Sequence, residues 1–212
     1  MTPPLCRTER AALCDLMLEV GPDAPTLSGS WTARDLAAHL VVRENRPDAA
    51  AGLVLPPLRG WLDRVQEQTA REPFEALVAT VRSGPPLWSP TRMEAVDVET
   101  NTVEFFVHHE DVRRAREGWA PRELAPRDVA VLWDRVGKIG RLLLRRCPVG
   151  VLVSPTDGPA AGTTTRLRAG DRDVTLVGPV GEIVLAKYGR ITQGLEIQGA
   201  DVDVRAFLDF PR

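Results

Sequence analysis

The 212-residue chain contains only three histidines, and none of them falls in a loop-like stretch. His39 follows Trp31-Thr32-Ala33-Arg34-Asp35-Leu36-Ala37-Ala38, and His108 and His109 follow Val103-Glu104-Phe105-Phe106-Val107. Glu104 and His108 are spaced i,i+4. On a helix this places both side chains on one face, with Cβ atoms about 5–6 Å apart. A carboxylate oxygen and an imidazole nitrogen can then converge on one ion at about 2.0–2.2 Å. His109 is turned roughly 100° off that face by the helical period and is excluded as a ligand. Asp111 returns to the face, where it can accept the imidazole N–H in a carboxylate–histidine–metal relay, or bond neighbouring backbone or arginine. A Glu/His pair supplies two donors, and His39 from a facing helix would complete a two-histidine, one-carboxylate set. The same residues also allow a plainer reading: a solvated Glu104–His108 helix pair, with His39 a satisfied core or surface histidine. His109, Glu110, Arg113 and Arg114 read mainly as a solvated face or ion pairs.

The elements that would carry these residues follow from apolar periodicity and punctuation. Leu5, Leu13, Leu16, Met17 and Val20 recur at helical spacing until Gly21-Pro22. Thr32 and Asp35 form a capping-box-like start to a helix bearing Leu36, His39, Leu40 and Arg43 on one face, fraying before Pro47. Residues 47–58, rich in proline and small apolar residues, read as a loop. Trp61 to Arg82 reads as helix, broken near Pro73, and Gly84-Pro85-Pro86 with Pro90 marks another loop. A fourth helix is expected from about Val96 or Val98 to Glu117, and a fifth from about Asp128 to Arg146. Beyond Pro148 the pattern shortens and alternates. Strands are expected at Val149–Val153, Thr163–Arg168 and Asp173–Val177, with further alternation at Leu195–Ile197. Helices are expected at Pro179–Tyr188 and Asp201–Phe210. The fold class is therefore α+β: a four-helix bundle over 1–120 and a smaller α+β domain over 121–212, with a linker at about 119–127.

Composition narrows the function. A formal net charge of −2 and a pI near 6.0 exclude an electrostatic nucleic-acid binder. No run approaches the roughly 18 apolar residues that a membrane span needs. The N-terminus shows no apolar leader, so a cytoplasmic protein is expected. Cys6, Cys14 and Cys147 match no zinc-ribbon or redox spacing and read as buried, reduced thiols. The five tryptophans read as core and loop anchors, and Phe105 and Phe106 as bundle packing beside the histidines. No phosphate-binding glycine loop, nucleophile elbow or HExxH motif is present.

The run from Trp31 to Leu40, with Glu104-xxx-His108-xx-Asp111 downstream, resembles the metal-binding domain of the mycothiol-dependent maleylpyruvate isomerase family, part of the DinB-like superfamily of four-helix metal-binding bundles. Gly178-Pro179-Val180-Gly181-Glu182 through Tyr188-Gly189-Arg190, then Ile197 to Asp201, resembles the sterol-carrier-like second domain of those proteins. The resemblance implies that His39, Glu104 and His108 hold a divalent metal, zinc foremost, with nickel, manganese or iron as alternatives. It also implies mycothiol or a similar small thiol as cosubstrate, and an arginine from the second domain, here Arg190, that assists catalysis. Three protein donors leave a coordination position open, as catalytic sites do. A thiol entering it would be deprotonated and could attack an electrophilic carbon. The other reading is a non-enzymatic metal- or ligand-binding protein with a structural ion. The expected partners are thus small molecules, with neither nucleic acid nor membrane involved, and the sequence does not fix the oligomeric state.

Overall fold

The computed structural model describes residues 3–53, 55–190 and 192–210. The chain divides into two compact units, residues 1–119 and 120–212. Among the described residues the secondary structure is mixed α+β, with nine α-helices and one four-stranded sheet, and no helix is long and apolar enough to cross a membrane.

The first unit contains α1 (Leu5–Val20), α2 (Ala33–Asn45), α3 (Pro47–Ala50), α4 (Arg59–Thr69), α5 (Phe74–Ser83) and α6 (Glu94–Arg113). Leu13 and Met17 of α1, Leu36 and Leu40 of α2, Leu77 of α5 and Phe105 of α6 are fully buried in one core. Each apolar pair in α1 and α2 is four residues apart, the spacing that turns a helix stripe inward. Leu62 and Val65 of α4 pack in a smaller cluster with Val42 and Ala49. α1 stops where Gly21, at φ +84°, turns the chain while its N–H still bonds the Met17 carbonyl at 3.0 Å.

α6 is buried on most of its circumference, and what it buries is largely polar: Asp97, Asn101, His108, His109, Glu110 and Asp111. Such groups persist inside only when paired, and the pairs are present. Arg10 of α1 grips Glu44 of α2 in a fork, with two contacts of 2.6 Å. Asn101 donates to Glu44 at 3.1 Å and to Asp97 at 2.7 Å.

The second unit contains α7 (Pro126–Leu143), β1 (Gly150–Pro155), β2 (Thr165–Arg168), β3 (Asp173–Gly178), α8 (Val180–Lys187), β4 (Glu196–Gln198) and α9 (Asp201–Leu208). The sheet order is β2-β1-β3-β4, with β1 and β3 parallel and the outer pairings antiparallel. Val151 and Val153, with Val174 and Leu176, alternate into the core as one sheet face must. Gly150 and Gly170 sit so close that a Cβ on Gly170 would lie 2.3 Å from the Gly150 nitrogen, so this end of β1 requires glycine.

Several expectations are corrected. Residues 47–58 are not plain loop: α3 is followed by 3-10 turns at Ala51–Leu53 and Pro56–Leu58, because proline at the first turn of a helix costs no hydrogen bond; Val54 lies outside the described residues. α6 begins at Glu94, before Val96, and ends at Arg113, before Glu117. Its last turn unwinds where the Arg114 side chain folds back on Glu110 and lies 4.5 Å from the Trp119 ring centroid. Trp61 and Trp88 are exposed and not core anchors, at 43% and 63%.

Candidate metal centre

The site is assembled by α2 and α6. The reciprocal capping box between Thr32 and Asp35 fixes where α2 starts, and His39 stands two turns beyond it. α6 contributes Glu104 and His108 one turn apart. Nε2 of His39 and Nε2 of His108 each lie 3.4 Å from the same carboxylate oxygen, Oε1 of Glu104. All three donor atoms lie within 4.8 Å of one another, and the two rings meet edge to face with centroids 5.5 Å apart. Both histidines are buried and Glu104 is partly covered. The buried cluster of His39, Glu104 and His108 can hold a metal ion.

The distances suit coordination as well as long hydrogen bonds. Charge-assisted N–H···O bonds are about 2.7–2.9 Å long, so 3.4 Å is a poor hydrogen bond. Donors about 2.1 Å from a tetrahedral ion stand about 3.4 Å apart, which is the length of both histidine-to-glutamate edges. The far nitrogen of His108 is also anchored. Nδ1 of His108 lies 2.9 Å from Oδ2 of Asp111, which is fully buried and accepts the Ser28 hydroxyl at 2.8 Å. Nδ1 of His39 faces the side-chain oxygen of Gln66 on α4 at 3.4 Å, and its ring lies 4.9 Å from that of Trp31. Occupying Nδ1 of His108 in this way leaves its Nε2 for an ion.

Burial opposes ionising Glu104, yet hydrogen bonds from His108 and His39, then the charges of His108 and Arg43, hold its carboxyl well below the ordinary range. Burial likewise opposes a charged His108, but Asp111 and Glu104 outweigh it and push the imidazole up to about 9. Without an ion, a proton on His108 therefore sits between two carboxylates. Arg43 places Nε 3.1 Å from Oε1 of Glu104 and donates Nη1 to the side-chain oxygen of Asn101.

His39, Glu104, His108 and Asp111 thus come together. His109 faces away, as its helical phase requires, but it is not on a solvated face. It is buried, with Nδ1 2.7 Å from Oε2 of Glu9 on α1. Glu110 and Arg114 are buried against each other, and Arg113 adds a contact to Glu110 at 2.9 Å. Arg190 belongs to the second unit, where its Nη1 donates to the Tyr188 carbonyl at 2.9 Å. Sequence reasoning assigned no role here to Arg43, Gln66 or Trp31. Arg43 carried a signal, being four residues after His39 on the same face; Gln66 carried none. All three cysteines are free and buried. Burial pushes the Cys6 and Cys14 thiols up to about 11, Asp97 adding to the effect at Cys6, so neither is a reactive thiolate.

No protein-family model matches the chain, and no curated protein or solved structure does either.

Proposed function

We propose that the helical unit binds one divalent metal ion through His39, Glu104 and His108, with zinc the ion that two imidazoles and a carboxylate suit best, ahead of nickel, manganese and iron. On this reading the protein is a cytoplasmic relative of the mycothiol-dependent maleylpyruvate isomerases, with a DinB-like bundle followed by a sterol-carrier-like domain. Its function is to activate a small thiol, mycothiol or a similar one, for attack on an electrophilic carbon. The observation that carries the reading is the pair of 3.4 Å edges meeting at Glu104 Oε1. It is supported by the anchoring of His108 Nδ1 to Asp111.

A bound divalent cation supplies Lewis acidity, which lowers the pKa of a thiol entering its open position. The protein's own residues do the rest. Asp111 fixes the His108 tautomer, and Arg43 keeps Glu104 ionised and limits its rotation. Trp31 packs its ring against that of His39, with centroids 4.9 Å apart. Three histidine and carboxylate donors converge in the cluster, and catalytic centres are commonly built from three protein donors with one position left open. The role of Arg190 as an assisting residue belongs to the same proposal.

A structural ion is the second reading, favoured by one fact: the donors tie α2 to α6 across 65 residues of sequence. Metal analysis of untagged wild type beside His39→Ala and His108→Ala tests the site, with one equivalent expected in wild type and little in either variant. Loaded protein is then assayed with thiols and a panel of alkenes, epoxides and halides. Thiol-dependent turnover lost in both variants supports catalysis. Bound metal with no turnover across the panel leaves the structural ion, and wild type that takes up no zinc, nickel or manganese removes both readings.

A further inference from the structure

We propose that a second cleft, on the first unit and independent of the metal centre, binds a phosphate-type oxyanion. The cleft has a volume of about 350 Å³ and is lined by Arg7 and Arg10 of α1, Arg82 of α5, Arg92 in the loop before α6, Gly84 and Asp97. Four guanidiniums against one carboxylate is an unusual lining for a chain whose net charge is −2.

The four arginines are not equivalent. Arg10 is the floor. It is buried, with its charge met by Glu44 and, at 3.5 Å, by Asp97. The chain passes over it at Gly84, where a Cβ would come 3.9 Å from the guanidinium carbon. Arg7 and Arg82 make pairs with Glu94 at 3.2 Å and Asp15 at 2.7 Å. All four of those side chains are 40% exposed or more, and solvated pairs of this kind contribute little. An anion that engages two forks at once can displace them. Arg92 donates Nη1 to the carbonyls of Pro85 at 3.0 Å and Ser83 at 3.4 Å, and among the described residues no carboxylate pairs with it. Planar forks on three separate segments are the donors that tetrahedral oxyanions select.

The same loop carries three exposed apolar side chains, Leu87, Trp88 and Met93, at 85%, 63% and 66%. Apolar surface next to a basic cleft suits a phosphate group attached to an apolar body. A free phosphate would use the cleft alone.

The test is calorimetric titration of the full chain as purified, in low-chloride buffer, with inorganic phosphate and with hexyl phosphate. Arg82→Met, Arg92→Met and the exposed control Arg71→Met are compared with wild type. Saturable binding is expected, weakened roughly tenfold by each cleft variant and untouched by the control, about the loss expected for one charge-assisted contact. Equal affinity for the two probes assigns free phosphate. Tighter hexyl phosphate, with the excess lost in Trp88→Ser, assigns an amphiphilic one. No saturable binding of either probe, or the same loss in Arg71→Met, overturns the proposal. Because both cleft arginines are exposed, unchanged metal content and melting temperature are expected and separate a lost site from a lost fold.

Discussion

Replacing Lys187 by methionine should stabilise the protein near neutral pH, by an amount that shrinks as pH rises. Lys187 closes α8, is 1% exposed, and donates Nζ to the Val136 carbonyl of α7 at 3.0 Å. Gly140 makes room for it: a Cβ there would stand 3.1 Å from Cε and 3.2 Å from Nζ. Burial alone pushes the amine down to about 7. The unfolded value is about 10.4. Below about pH 7 both states hold the proton, and the fold bears the full cost of a buried cation. That cost is up to roughly 5 kcal/mol, at about 1.4 kcal/mol for each pH unit separating the folded and unfolded values. Between about pH 7 and pH 10 the folded amine is neutral while the unfolded one is still charged. The unfolded state then binds more protons, so stability rises with pH by about 1.4 kcal/mol per unit. Methionine fills nearly the same volume and carries no charge. The variant's advantage over wild type should therefore be about 2 kcal/mol larger at pH 7 than at pH 9. Urea unfolding of both proteins at both pH values reads this directly, since every other titrating group cancels in the difference. An advantage that does not change with pH would show that Lys187 is not titrating in the fold and would refute the argument.

Other consequences can be measured. Asp111→Asn should weaken metal binding by roughly 10–100-fold, as loss of a partner to a liganding histidine does, read by competition with a chelating dye; undiminished affinity would detach Asp111 from the site. Since His108 is protonated up to about pH 9 without metal, an ion binding at pH 7.5 should expel about one proton. Calorimetry in two buffers of different ionisation enthalpy counts it, and a count near zero would show that His108 is already neutral before the ion arrives. Glu44→Gln leaves Arg10 buried with only Asp97 at 3.5 Å, and should cost about 3 kcal/mol, the lower end for a broken buried pair. Adding Arg10→Met should restore much of that stability, and a single variant as stable as wild type would show the pair to be idle.

The local part of this architecture was legible because its causes are local. The capping box at Thr32 and Asp35, the i,i+4 phase of Glu104 and His108, and the return of Asp111 to that face are set within a few residues and can be counted from the sequence. The alternating strands of the second unit are visible for the same reason. What could not be read depends on a neighbour. Glu9 makes His109 a buried residue, and nothing near position 109 announces it. Arg114 and Glu110 look like a solvated charge run until the Trp119 ring beside the Arg114 guanidinium is known. Gln66 reaches His39 from a helix whose own sequence gives no hint of a partner. The start of α6 reads late because Glu94 and Ala95 add nothing to the apolar period.

The separation of the three donors along the chain has a consequence for how the protein is made. Glu104 and His108 are neighbours as soon as α6 winds, but His39 leaves the ribosome 65 residues before Glu104 and has no partner until α2 and α6 dock. Until then the chain offers an incoming ion two donors at most. On the reading that the cluster takes an ion, the full set of three donors is offered to it only once α2 and α6 have docked.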